Sequence, residues 1–110
     1  MAKEVKESTK ISKIFRSMEE HNYMVFTFSS NHPLPKSAEG FTDHFITHKR
    51  KPCGVFIEDK IGKDTMKERQ KDLQLCISHL SAIYPKVAHR ICTSAKDAEK
   101  IRLDIYEGKI

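Results

Sequence analysis

Glu58 and Lys60 stand two residues apart in Phe56-Ile57-Glu58-Asp59-Lys60, a run apolar enough at its start to form a strand. Residues i and i+2 of a strand project from the same face, so an acid and a base share one surface. A second strand-like run, Phe41 to His48, precedes this one, which spans Gly54 to Lys60. The connection between them, Lys49-Arg50-Lys51-Pro52, has the charge and the proline of an exposed hairpin turn. A hairpin centred between Arg50 and Lys51 sets Asp43 opposite Glu58. Opposed Cβ atoms lie about 4.5–5.5 Å apart, and two bare carboxylates at that range repel unless a proton or a cation comes between them. Hard oxygen donors of this kind suit Mg²⁺ or Mn²⁺, completed by water and phosphate. Metal-assisted phosphodiester hydrolysis is the chemistry that such a set would perform.

Gln70 adds an independent signal. It falls four residues after Met66, three before Leu73 and seven before Ile77, within the apolar stripe of the following helix. A buried amide needs a partner, and from the first turn Gln70 can reach back toward a metal-bound water, Lys60 or a phosphate. The Thr65-Met66-Lys67-Glu68 spacing is that of a capping box and places the helix start there.

Positioning these groups requires a folded frame, and 110 residues suffice for one domain, 1–110. Ile11, Ile14, Phe15 and Met18 mark an amphipathic helix over Ser8 to His21, which Asn22 closes. Tyr23 to Phe28 reads as a strand buried on both faces for part of its length. Ser29 to Gly40, with two prolines and a glycine, reads as a surface loop. A helix over about residues 65–83 ends before Pro85. Val87 to Cys92 is a short strand, and Ser94 caps a last helix that buries Ala98, Ile101 and Ile105. The order is αβββαβα, an α/β fold with a mixed sheet flanked by helices. No apolar run approaches the roughly 18 residues of a membrane span, so the expectation is a cytoplasmic protein that is not secreted. Cys53, Cys76 and Cys92 are odd in number and widely spaced, which argues for free thiols.

Gly40-Phe-Thr-Asp43, then Gly54-Val-Phe-Ile-Glu58-Asp-Lys60, then Glu68-Arg69-Gln70 resemble the PD-(D/E)XK nuclease superfamily, and within it the virus-type replication-repair (VRR-NUC) family. That family follows a G-x-P-D strand with an apolar strand ending in E-x-K and a helix with an early glutamine. The resemblance covers nearly the whole chain and implies a restriction-endonuclease-like αβββαβ(α) core. By position, Asp43 and Glu58 match the metal ligands, with the backbone carbonyl of Asp59 as a further ligand, Lys60 the catalytic lysine, and Gln70 the helix glutamine. Many relatives add a glutamate from the first helix, for which Glu7 is the candidate. Thr42 departs from the usual proline, and Asp59 from the usual apolar residue. Stand-alone relatives act as homodimers on branched DNA, so the implied function is Mg²⁺- or Mn²⁺-dependent, structure-selective DNA cleavage by a dimer. The competing expectation is a nuclease-fold module that binds nucleic acid or a protein partner without turnover.

Twenty Lys+Arg against fifteen Asp+Glu give a net charge of +5, which favours a polyanionic partner. Lys36, Lys49, Arg50, Lys51, Lys63 and Lys67 are expected to flank the site and bind DNA phosphates. Of the six histidines, His44 is expected to face away from Asp43, and His32 is the best placed for phosphate or metal contact.

Overall fold

A computed structural model describes residues 6–28 and 34–110. The chain is α/β, with a four-stranded mixed sheet flanked by helices. Helix α1 (Glu7–Arg16) continues into a 3₁₀ turn, Ser17–His21, and Asn22 ends it in the left-handed region at φ 70°. There follow β1 (Tyr23–Thr27), β2 (His44–His48), β3 (Gly54–Asp59), α2 (Glu68–Ile83), β4 (Val87–Cys92) and α3 (Ala95–Tyr106). His32 and the rest of residues 29–33 lie outside the described residues.

Strand order in the sheet follows the sequence, β1-β2-β3-β4. The first three strands form an antiparallel meander, and β4 runs parallel to β3. Parallel neighbours require a crossover, which α2 provides. Because side chains alternate along each strand, the sheet has two different faces. One carries Ile46, Val55 and Ile57 into a core shared with Ile11, Phe15 and Met18 before β1 and Ala98, Ile101 and Ile105 of α3. The other carries Phe26, Phe45, Phe56 and Glu58, with α2 packed over β4.

Three expectations need correction. Strand β1 is buried on one face only: it is an edge strand, and Met24 and Phe26 are 42% and 43% exposed. The run from Phe41 does not enter the sheet until His44, which leaves Asp43 in the bend before β2. Helix α2 starts at Glu68 rather than Thr65, and its reciprocal cap runs from the Lys67 N–H to Gln70 Oε1 at 2.8 Å. Ser94 does cap α3, its hydroxyl accepting from the Asp97 N–H at 3.1 Å. Cys53, Cys76 and Cys92 are all free, and burial pushes the Cys92 thiol up to about 12. Among the described residues, no helix is long and apolar enough to cross a membrane.

The loop before β2 is tied to α2. Arg69 Nε donates to the Glu39 carbonyl at 2.6 Å, and Gly40 sits at φ +92°, where an added Cβ would meet Arg69 Cβ at 2.6 Å. A side chain there would be strained in its own backbone and would clash with α2. Gly40→Ala is therefore expected to lower unfolding free energy by roughly 1–3 kcal/mol in chemical denaturation.

Candidate active site

The β2–β3 register is the one that the hairpin arithmetic requires: His44 faces Ile57 and Thr47 faces Gly54. Continued by one residue, it sets Asp43 against Glu58. Glu58 is 2% exposed, and its Oε1 accepts from Gln70 Nε2 at 2.8 Å and lies 3.6 Å from Lys60 Nζ. The acid and base two residues apart thus share a face. Gln70's amide orientation follows from chemistry: the Lys67 backbone N–H can only donate, so it takes Oε1 and leaves Nε2 for the carboxylate. One side chain caps α2 and holds Glu58, so the expected reach toward a metal-bound water, Lys60 or a phosphate becomes a direct bond to the acid itself.

Burial pushes the Glu58 carboxyl up to about 8, and the neighbouring Asp43 charge acts in the same direction. Asp43 is also raised, chiefly by burial, although the Asp59 N–H donates to its Oδ2 at 2.8 Å. Glu58 Oε2 is buried without a donor. An orphaned carboxylate oxygen beside a second carboxylate is a donor set that a hard divalent cation fits, since its charge offsets both the desolvation and the repulsion. The Asp59 carbonyl follows Glu58 where β3 ends, on backbone pinned by the bond to Asp43.

Glu7 does not join this pair. Its Oε1 accepts from the Ala95 N–H at 2.5 Å, so the carboxylate satisfies an orphan donor at the positive end of α3. Among the described residues, no group of three or more His, Cys, Asp or Glu side chains has metal-holding geometry. Asp43 and Glu58 are left as the two candidate side-chain donors.

His44 faces away from Asp43, as its strand position requires. It is 1% exposed, packs against Phe15 at 5.0 Å between ring centroids, and joins Asp59 Oδ2 through Nε2 at 2.6 Å and Thr27 Oγ1 through Nδ1 at 3.1 Å. With Nε2 donating and Nδ1 accepting from the hydroxyl, both ring nitrogens are served, and Asp59 Oδ1 is left buried without a partner. This explains the acid between Glu58 and Lys60: Asp59 points to the opposite face and meets a buried imidazole from the neighbouring strand. Thr42, fully buried, donates to the His44 carbonyl at 3.0 Å and so fixes the entry to β2 by a hydrogen bond where proline would fix it by its ring.

The expected cation set divides. Lys36 lies beside Gln70 in one depression, and Lys63 and Lys67 stand exposed in the connection from β3 to α2, at the site end of the sheet. Lys49, Arg50 and Lys51 do not flank the site. A hairpin that places Asp43 opposite Glu58 must put its turn at the far end of both strands, about 15–20 Å away. Other cations replace them: Lys6, Lys13 and Arg16 line a cleft of about 670 Å³ whose other wall includes Asp43 and Asp59. Their spacing, seven residues and then three, marks a basic helical stripe that the sequence carried in plain view.

No family model, curated protein or solved structure matches the chain.

Glu58→Gln keeps the shape and removes the ionisation. A carboxyl with a raised folded-state pKa destabilises the fold increasingly as pH climbs from its usual 4.5 to about 8. The variant is expected to match the parent near pH 4 and, without metal, to exceed it above pH 8 by roughly 1–3 kcal/mol in thermal or urea unfolding.

Proposed function

We propose that this chain is a metal-dependent endonuclease that hydrolyses DNA phosphodiester bonds. The observation that carries the reading is the buried Glu58–Asp43 carboxyl pair, with an orphan oxygen and with Lys60 and Gln70 on Glu58. The αβββαβα order, with the acids at adjoining strand ends and E-x-K closing β3, fits a restriction-endonuclease-like core.

Asp43 and Glu58 would hold Mg²⁺ or Mn²⁺, with the Asp59 carbonyl available beside them. When bound, the ion supplies charge neutralisation at the scissile phosphate and lowers the pKa of water. The protein's own groups do the rest. Lys60, its side chain 14% exposed, puts a cation at the edge of the carboxyl pair, where it orients the attacking water and offsets charge that builds on the phosphoryl oxygens. Gln70 acts through Glu58, holding its Oε1 and so fixing the carboxyl rotamer. Asp43 is steadied in turn by the Asp59 N–H. Lys36, Lys63 and Lys67 on one side, and Lys6, Lys13 and Arg16 on the other, provide backbone phosphate contacts that position the substrate without reading its sequence.

A single copy presents little surface to a duplex. Helix α2 and the Tyr84 that follows it have an apolar outer side, with Leu75, Leu80, Ile83 and Tyr84 between 46% and 72% exposed, which supports a homodimer built on that side and so a preference for branched DNA. Hydrolysis is tested with a labelled four-way junction and a matched linear duplex in Mg²⁺, Mn²⁺ or EDTA. Metal-dependent cutting is expected, faster on the junction. Glu58→Ala and Lys60→Ala should each lower the rate by at least about 100-fold, and Gln70→Ala by less. Uncut DNA under every condition, with binding retained in both variants, would instead identify a non-catalytic binding module.

A further inference from the structure

The open face of the sheet carries a second feature in line with the carboxyl pair. Phe26, Phe45 and Phe56 are register partners across β1, β2 and β3 and project from the face that bears Glu58. Their rings form a continuous strip: Phe26 stacks on Phe45 at 6.2 Å and 29° between planes, and Phe45 meets Phe56 at 4.7 Å. The same rung continues to His89 of β4, whose buried ring nitrogens have no partner and whose pKa burial pushes down, so the strip carries no charge. Helix α2 packs over β4 and leaves the β1 end of the strip open, with Phe26 43% and Met24 42% exposed.

Order along the face matters more than exposure. From the carboxyl pair, the next rung is Phe26/Phe45/Phe56, the one after is Met24/Thr47/Gly54, and the exposed Lys49-Arg50-Lys51 turn lies beyond. Successive rungs on one face are about 6.8 Å apart, close to the spacing of phosphates along an extended nucleic-acid strand. Lys51 lies over the Tyr23 ring on the opposite face, and a neutral aromatic platform with carboxylates for a metal at one end and the Lys49 and Arg50 cations at the other has the chemistry of a single-strand track, in which bases stack on rings while phosphates meet cations. A duplex, whose bases are already stacked on each other, has no use for the rings.

We propose that the Phe26–Phe45–Phe56 strip stacks the unpaired nucleotides next to the cleaved bond, and that Lys49 and Arg50 of the turn hold the phosphates further along that strand. The inference rests on the nuclease reading for the class of ligand and narrows it: the substrate is DNA with a splayed or unpaired arm. It also gives the turn cations, displaced from the catalytic end, a role.

The chain contains no tryptophan, so Phe26→Trp makes a single-tryptophan protein whose emission reports on stacking. The full-length variant is titrated in EDTA with an oligothymidylate of about twelve nucleotides and with a blunt duplex of equal length. The single strand is expected to quench the emission saturably, and the duplex is not. In parallel, anisotropy with labelled oligothymidylate should show Phe26→Ala and Phe26→Leu binding roughly tenfold more weakly than the parent and Phe26→Trp restoring affinity. Leucine keeps the apolar contact that a second copy of the chain would need and removes only the π-face. Unquenched emission, equal quenching by the duplex, or affinity unchanged in both Ala and Leu variants would overturn the proposal. So would a change of sedimentation on Phe26→Ala without a change in affinity, which would assign the strip to a second copy. Because EDTA removes hydrolysis, quenching without cleavage in any metal would sink the nuclease reading alone, and cleavage without quenching would sink the platform alone.

Discussion

A carboxyl group taken out of water beside another carboxyl group is costly unless its surroundings compensate, and Glu58 is in that position: 2% exposed, its pKa raised to about 8, with Asp43 as its neighbour. Much of the architecture around the site answers that one constraint. Gln70 gives Glu58 a donor, and it can do so because its carbonyl oxygen is committed to the first turn of α2. The crossover helix therefore begins where the acid needs it. Lys60 adds a cation at 3.6 Å. Glu58 Oε2 remains unserved, as does Asp59 Oδ1 on the opposite face, and what sets Glu58 apart is the second carboxyl group beside it.

The sheet gives this pair two supports that face opposite ways. On the α2 face stand Glu58, Lys60 and the aromatic strip. On the other, Asp59 and His44 lock β2 to β3 beneath α1, and Thr27 extends the lock to β1. Alternation along the chain thus sends Glu58 and Lys60 to one face and Asp59 to the other, where it anchors the strands. A rigid backbone at Asp59 also serves Asp43, which takes the Asp59 N–H. The strand ends are held from below while the carboxyl pair is presented above.

Much of this was legible because it depends on short-range rules. The i, i+2 alternation placed Glu58 with Lys60, and the arithmetic of a hairpin centred at Arg50 and Lys51 predicted a register that the strands adopt. What escaped depends on three dimensions. The same arithmetic implied that Lys49, Arg50 and Lys51 lie remote from Asp43, yet proximity in sequence suggested otherwise. Glu7 sits on a helix of the right kind, but nothing local says that its carboxylate faces the start of α3, 88 residues away. The Thr65/Glu68 pattern has the spacing of a capping box, and Gln70 displaced it because tying the helix start to Lys67 also satisfies Glu58. His44 gave no local sign of its bridging role, since both of its partners come from other strands.

Mn²⁺ binding to the isolated protein at pH 8, followed by titration calorimetry without DNA, tests the central claim that Asp43 and Glu58 form a cation site. Saturable binding that disappears in Glu58→Gln, while the variant remains folded and at least as stable as the parent, is the result expected from a repulsive buried pair. Indistinguishable titrations of parent and variant, or no binding by the parent, would contradict it and leave Glu58 as a protonated structural acid.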